Sequence, residues 1–204
     1  MQLLVFGGSG RVGRRVCEYA ASDGHGVTAF VRDADSAPPG VGVVEGDVRD
    51  TESVIAAVAG HDAVCNAVGP DADERPSVLT DGIDNIAPAM ADAGIDRLVG
   101  VAAAGILQAT PNRLRLDTPE FPAGLRQVAT AHRDAYERLR ESTLDWTLAC
   151  PPRMPDGAPT NHYRTAVDYL PEGGQSVSTG DVAAFVYDAA VRGGHRRERV
   201  GIAY

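Results

Sequence analysis

Apolar residues along this chain come in short runs separated by longer amphipathic stretches. Leu3–Phe6 reads as a buried strand, and Val12–Ala21 as a helix that starts inside a glycine-rich turn. Gly26–Val31 and Val41–Glu45 read as the second and third strands. Thr51 is placed to cap a helix reaching Ala59, with Glu52 and Ser53 in its first turn. Ala63–Val68 reads as strand four. A longer helix follows over Ser77–Ala93, ending at Gly94, with Pro88 as a candidate kink. Arg97–Ala102 reads as strand five, Gly105–Pro122 as loop, Gly124–Ser142 as a long helix and Trp146–Cys150 as strand six, stopped by Pro151-Pro152. A Pro/Gly-rich polar stretch leads to Ser176. Asp181 then opens a last helix to Val191, and Val200–Ala203 can close the sheet.

Strands alternating with helices from end to end predict an α/β fold, a Rossmann-like doubly wound parallel sheet. No repeat, linker or low-complexity tract divides it. The expected organisation is one domain over residues 1–204, with 151–178 as an irregular segment long enough to roof a substrate pocket.

Composition narrows the chemistry. The chain has 204 residues, 44% of them hydrophobic, enough for one sizeable core. No apolar stretch approaches the length of a membrane span, and no basic-then-apolar leader opens the chain. Cys17, Cys65 and Cys150 are far apart and lack metal-ligand spacing, so buried free thiols are expected, and no metal site. A cytoplasmic protein is the expectation from these features. The formal net charge of −9 argues against nucleic acid as a partner. All 19 basic residues are arginine. A lysine Schiff base, a Walker lysine and the lysine of a Tyr-x-x-x-Lys pair are therefore absent.

The candidate chemistry begins at Gly7-Gly8-Ser9-Gly10-Arg11-Val12-Gly13, between a strand and a helix. Gly7 lets the chain turn out of the strand, Gly10 lets a pyrophosphate approach the backbone, and Gly13 lets the helix pack on the sheet. Free N–H groups through Ser9, Arg11 and Val12 and the helix dipole then favour phosphate. At the end of the second strand stands Arg32, followed by Asp33. Arg32 can pair with a ribose 2′-phosphate, with Arg11 as a second fork, which favours NADP(H) over NAD(H). In the alternative, Arg32 is a solvated charge and Asp33 takes the ribose. Asp47 and Val48 after strand three are placed beside an adenine ring, and Ala67 and Gly69 end strand four where a cofactor can lie on the backbone.

Here the chain resembles the atypical short-chain dehydrogenase/reductase families, namely the NmrA-like proteins and the flavin reductases of biliverdin reductase B type. The matching stretches are FGGSGRVG, VTAFVRD, VEGDVRD, AVAGHDAV, LRESTLDWTLACPPRM and STGDVAAFV. The resemblance implies NADPH in an extended pose, its nicotinamide between strands four to six near Ala102, Ala103, Pro151 and Pro152, and a shallow pocket for a flat acceptor. It also exposes departures. The usual catalytic serine falls at about Ala103. Aligning Glu137 with the family glutamate puts Arg133 at the lysine and Ala129 at the tyrosine. Tyr136-x-x-x-Arg140 is a nearby substitute in the wrong register. Relatives carry a histidine after the Pro-Pro where this chain has Arg153, while His132 matches a histidine in their helix. Arg153, His132 and Tyr163 are the candidate substrate contacts, with His162 beside Tyr163 in the roof.

Three activities compete. The first is an NADPH-dependent oxidoreductase passing hydride to a flavin, quinone or tetrapyrrole without a Ser-Tyr-Lys set. The second is a non-catalytic NADP(H) redox sensor. The third, a sugar-nucleotide epimerase or dehydratase, is opposed by the missing Tyr and Lys. A small-molecule partner, no membrane, and a monomer or weak homodimer complete the expectations.

Overall fold

A computed structural model describes residues 1–70 and 75–204. In chain order the elements are β1 (Gln2–Phe6), α1 (Gly13–Ser22), β2 (Gly26–Val31), β3 (Gly42–Glu45), α2 (Thr51–Val58), β4 (Ala63–Asn66), α3 (Val78–Asp92), β5 (Arg97–Val101), β6 (Gln108–Thr110), β7 (Arg113–Leu114), α4 (Arg126–Glu141), β8 (Asp145–Cys150), β9 (Arg164–Val167), α5 (Thr179–Arg192) and β10 (Glu198–Ala203). The main sheet runs β3-β2-β1-β4-β5-β8-β10-β9. Every pairing in it is parallel except β10 with β9. The strand order reverses at β1, with β2 and β3 on one side and β4 onward on the other. In open α/β sheets the crevice at such a point, beyond the carboxyl ends of the strands, is where ligands bind.

The apolar runs are continuous because both faces of the inner strands are covered. Leu4 and Phe6 point into a core shared with α2, α3 and α4, where Phe30, Val54, Ile86 and Leu139 are buried. Leu3 and Val5 point to the other face, against Val16 and Cys17 of α1 and Val182 and Val186 of α5. The three cysteines are free and buried. Burial is the largest influence on each thiol and pushes all three up to about 12. Among the described residues, no helix is long and apolar enough to cross a membrane.

Several local expectations give way to tertiary structure. Asp50, not Thr51, caps α2: its carboxylate accepts from the Glu52 N–H at 3.1 Å, while the Thr51 hydroxyl turns to Asn85. The stretch after β5 contains the β6–β7 hairpin and tight turns in place of the expected loop, and α4 begins at Arg126 after a turn over Ala123–Leu125. Segment 151–178 is not wholly irregular, because β9 pairs with β10 at the sheet edge. Helix α3 runs through Pro88. Helix α5 starts at Thr179, with Ser178 as its cap; Asp181 lies in its first turn.

Candidate functional site

The glycine loop opens onto a cavity of about 410 Å³ at the carboxyl ends of β1, β2, β4 and β5. Gly7 has φ +73°, and a Cβ there would lie 2.8 Å from the Ala67 carbonyl oxygen. The Gly10 N–H closes the turn by donating to the Gly7 carbonyl at 3.0 Å. A Cβ on Gly13 would come within 2.2 Å of that same carbonyl, so the helix can approach the loop only with glycine here. No side chain caps α1. Its start is therefore available to an anion, and Ser9, Gly10, Arg11 and Val12 all line the cavity.

At the β2 end, Val31 and Arg32 line the cavity with Gly46, Asp47 and Val48. Asp33 does not line it. Its carboxylate accepts from the Asp35 N–H at 3.0 Å and caps the short turn Ala34–Ser36. Asp47 is bound by Arg49, whose guanidinium lies 2.6 Å from Oδ2 and whose backbone N–H is 2.9 Å from Oδ1. That hydrogen bonding outweighs partial burial and, with Arg32 nearby, holds the Asp47 carboxyl below its ordinary range. Arg11 points elsewhere. It donates at 3.2 Å to the carbonyl of Met154, which follows β8, three strands across the sheet from β1.

The other end of the cavity is apolar. Ala67, Val68 and Gly69 follow β4, Val101 ends β5 and Ala102 follows it, and His132 of α4 and Met154 complete the wall. Burial pushes the His132 imidazole down to about 4, so it is neutral near pH 7. A cavity of only about 30 Å³ continues behind it, bordered by Asn66, His132 and Tyr136. The Tyr136 ring packs edge-on against Trp146 at 5.7 Å, with the Arg199 guanidinium 4.6 Å from its centroid. Arg140 is 5.9 Å from the same centroid. Ala129 is buried, and a Cβ built on Gly105 would lie 3.0 Å from its Cβ. Arg133 contacts Asp134 at 3.2 Å.

The structure thus gathers Gly7, Ser9, Gly10, Arg11, Val12, Arg32, Asp47, Val48, Ala67, Gly69, Ala102 and His132 around one cavity. Gly13 supports the loop from beneath. Ala103, Pro151, Pro152, Arg153 and Tyr163 are not among its lining residues. Ala103 precedes the turn Ala104–Ile106, and the Pro151 carbonyl accepts from the Ala104 N–H at 2.9 Å. Arg153 is exposed and bridges Ser176 through its backbone. Tyr163 packs edge-on against Phe185 of α5 at 6.4 Å, and His162 is exposed. Phe30, Val68, Val78, Val101 and Met154 line the cavity without having been singled out. Phe30 and Val101 were readable as strand ends; Met154 and Val78 arrive only through tertiary packing.

A family model described as NAD(P)H-binding matches residues 7–192. The uncharacterized protein YwnB of Bacillus subtilis is 30% identical over 98% of this chain and 96% of its own. Among solved structures, one described as an exported protein from Burkholderia pseudomallei aligns with a TM-score of 0.89 and 33% identity, covering 100% of both chains. One described as an NADH-flavin reductase from Streptococcus pneumoniae aligns with a TM-score of 0.88 and 28% identity, covering 100% of this chain and 99% of its own.

Proposed function

Since this chain belongs to the NAD(P)H-binding family and is of the atypical short-chain dehydrogenase/reductase, NmrA-like kind, we propose that it is an NADPH-dependent reductase of flat conjugated acceptors such as flavins, quinones or tetrapyrroles. The observation that carries the cofactor choice is at the β2 end. Arg32 faces the cavity, while the Asp33 carboxylate is committed to its own turn. A 2′-phosphate is attracted by the first, while the second is turned to the Asp35 N–H instead of toward a ribose hydroxyl. The named activity of the pneumococcal flavin reductase supports the acceptor class.

The roles divide along the cleft. Backbone N–H groups at the start of α1 hold the pyrophosphate, and Arg32 holds the 2′-phosphate. Asp47 and Val48 border the adenine. Val101 and Ala102 form an apolar floor toward the reacting end, and neutral His132 offers a hydrogen bond without a charge. When bound, the cofactor supplies a hydride to the acceptor. The matching proton comes from solvent, because Ala103, Ala129 and Arg133 stand where the serine, tyrosine and lysine would act. Alignment of two flat rings then does most of the work.

The test mixes purified protein with NADPH and FMN, FAD or a soluble quinone and follows NADPH absorbance. Oxidation faster than in the protein-free control, for at least one acceptor, is expected. Tight NADPH binding with no accelerated oxidation of any acceptor overturns the reductase reading and leaves a redox sensor.

A further inference from the structure

The STGDVAAFV stretch is not used by the cleft, yet it contains the most heavily hydrogen-bonded carboxylate described. Asp181 is fully buried. Its Oδ1 accepts from the N–H groups of Thr160 at 2.8 Å and Asn161 at 2.7 Å. Its Oδ2 accepts from the hydroxyls of Thr160 at 2.8 Å and Tyr204 at 2.7 Å, with the Ser178 hydroxyl 3.1 Å away. No salt bridge to it is formed among the described residues. A buried carboxylate satisfied only by neutral donors is an expensive arrangement unless it fixes something.

What it fixes is the strap 154–161. The Thr179 and Gly180 N–H groups at the start of α5 donate to the carbonyls of Pro155 and Gly157, each at 3.0 Å. The strap lies so close that a Cβ on Gly180 would be 2.4 Å from the Pro159 nitrogen. From the opposite side α1 and the loop before it reach the same segment: Arg15 of α1 pairs with Asp156 at 3.2 Å, and Arg11 of the glycine loop donates to the Met154 carbonyl at 3.2 Å. Met154 and Arg11 both line the cleft.

We propose that Asp181 is a positioning residue for the dinucleotide site: it locks the strap 154–161 onto α5, so that Met154 presents a fixed wall and a fixed carbonyl against which Arg11 of the glycine loop closes. This rests on the assignment of the cleft to a dinucleotide. Because the coupling is reciprocal, cofactor binding must also tighten the strap.

Two measurements test it. Hydrogen exchange of the wild-type protein with and without NADPH reads the Thr160 and Asn161 amides, and slower exchange with NADPH is expected. Calorimetric titration of Asp181→Asn and Asp181→Ala, well below each variant's Tm, is expected to show an NADPH Kd raised about fivefold and about tenfold. A merely structural role lowers Tm and leaves Kd unmoved. Wild-type binding of NADPH with unchanged strap exchange overturns the proposal, as does an Asp181→Asn variant with wild-type Kd. Failure of the wild-type protein to bind NADPH overturns the dinucleotide reading itself, and this proposal with it.

Discussion

The two ends of the cleft are built on opposite rules. At the glycine-loop and β2 end, individual atoms are constrained: a Cβ is forbidden at Gly7 and Gly13, and charges are set at Arg32 and Asp47. At the Val101–Ala102 end, side chains are small and apolar, and the imidazole present is neutral. The first end can discriminate between ligands by charge and fit. The second can hold a ring flat, and among the described residues it presents no acid poised near neutral pH. On the proposed function, the difference teaches that cofactor recognition and bond chemistry are separable: the first is set by the protein, and the second rests on the acceptor.

The largest expected effect comes from breaking the constrained end. Gly7→Val places a branched side chain at φ +73° against the Ala67 carbonyl. NADPH binding is expected to weaken by about 100-fold or more, measured by titration, with circular dichroism checking that the sheet persists. Arg32→Ala is expected next, raising the NADPH Kd about 30-fold while moving the NADH Kd less than about threefold. Equal loss for both cofactors removes the 2′-phosphate role.

The apolar end gives a stability effect with a definite sign. The His132 pKa is lowered in the folded protein from 6.5 to about 4 by burial. As pH falls below the unfolded value, the unfolded chain takes up this proton first, so stability is lost between roughly pH 6.5 and 4 and is whole above that window. Between about pH 7 and pH 5 the loss amounts to about 2 kcal/mol, or about 4–8 °C in Tm. His132→Phe is expected to flatten the fall in Tm by that amount. An unchanged pH dependence contradicts the neutral, desolvated imidazole. The smallest effect is expected from Ala103→Ser, which restores a hydroxyl beside the cleft. With no tyrosine or lysine to act with it, acceptor reduction in steady-state assays should change by less than about twofold.

The architecture was legible because it is written locally. Parallel strands covered on both faces leave continuous apolar runs, and the loop needs glycine at particular spacings, so β1, the loop and α1 can be read in order. The β9 strand was not legible, because Arg164-Thr165-Ala166-Val167 lies at an edge and has no apolar run to announce it. The α2 cap lies one residue earlier than expected, since Asp50 and Thr51 both carry an oxygen able to accept from the N–H groups of a helix start and only geometry separates them. Met154 and Asp181 were hidden for a different reason. Each acts through partners far away in the chain, and an acidic residue in a first helical turn reads as solvated whether or not a strap covers it. Tyr163 shows the converse: its place in a polar, roof-like segment suggested the pocket, while its ring is spent on Phe185.

The central claim is that the cleft selects the phosphorylated dinucleotide through Arg32. Calorimetric titration of the wild-type protein with NADPH and with NADH, in the same buffer and salt, tests it most directly. A Kd for NADPH at least about tenfold below that for NADH is expected. Equal affinities, or tighter binding of NADH, contradict it.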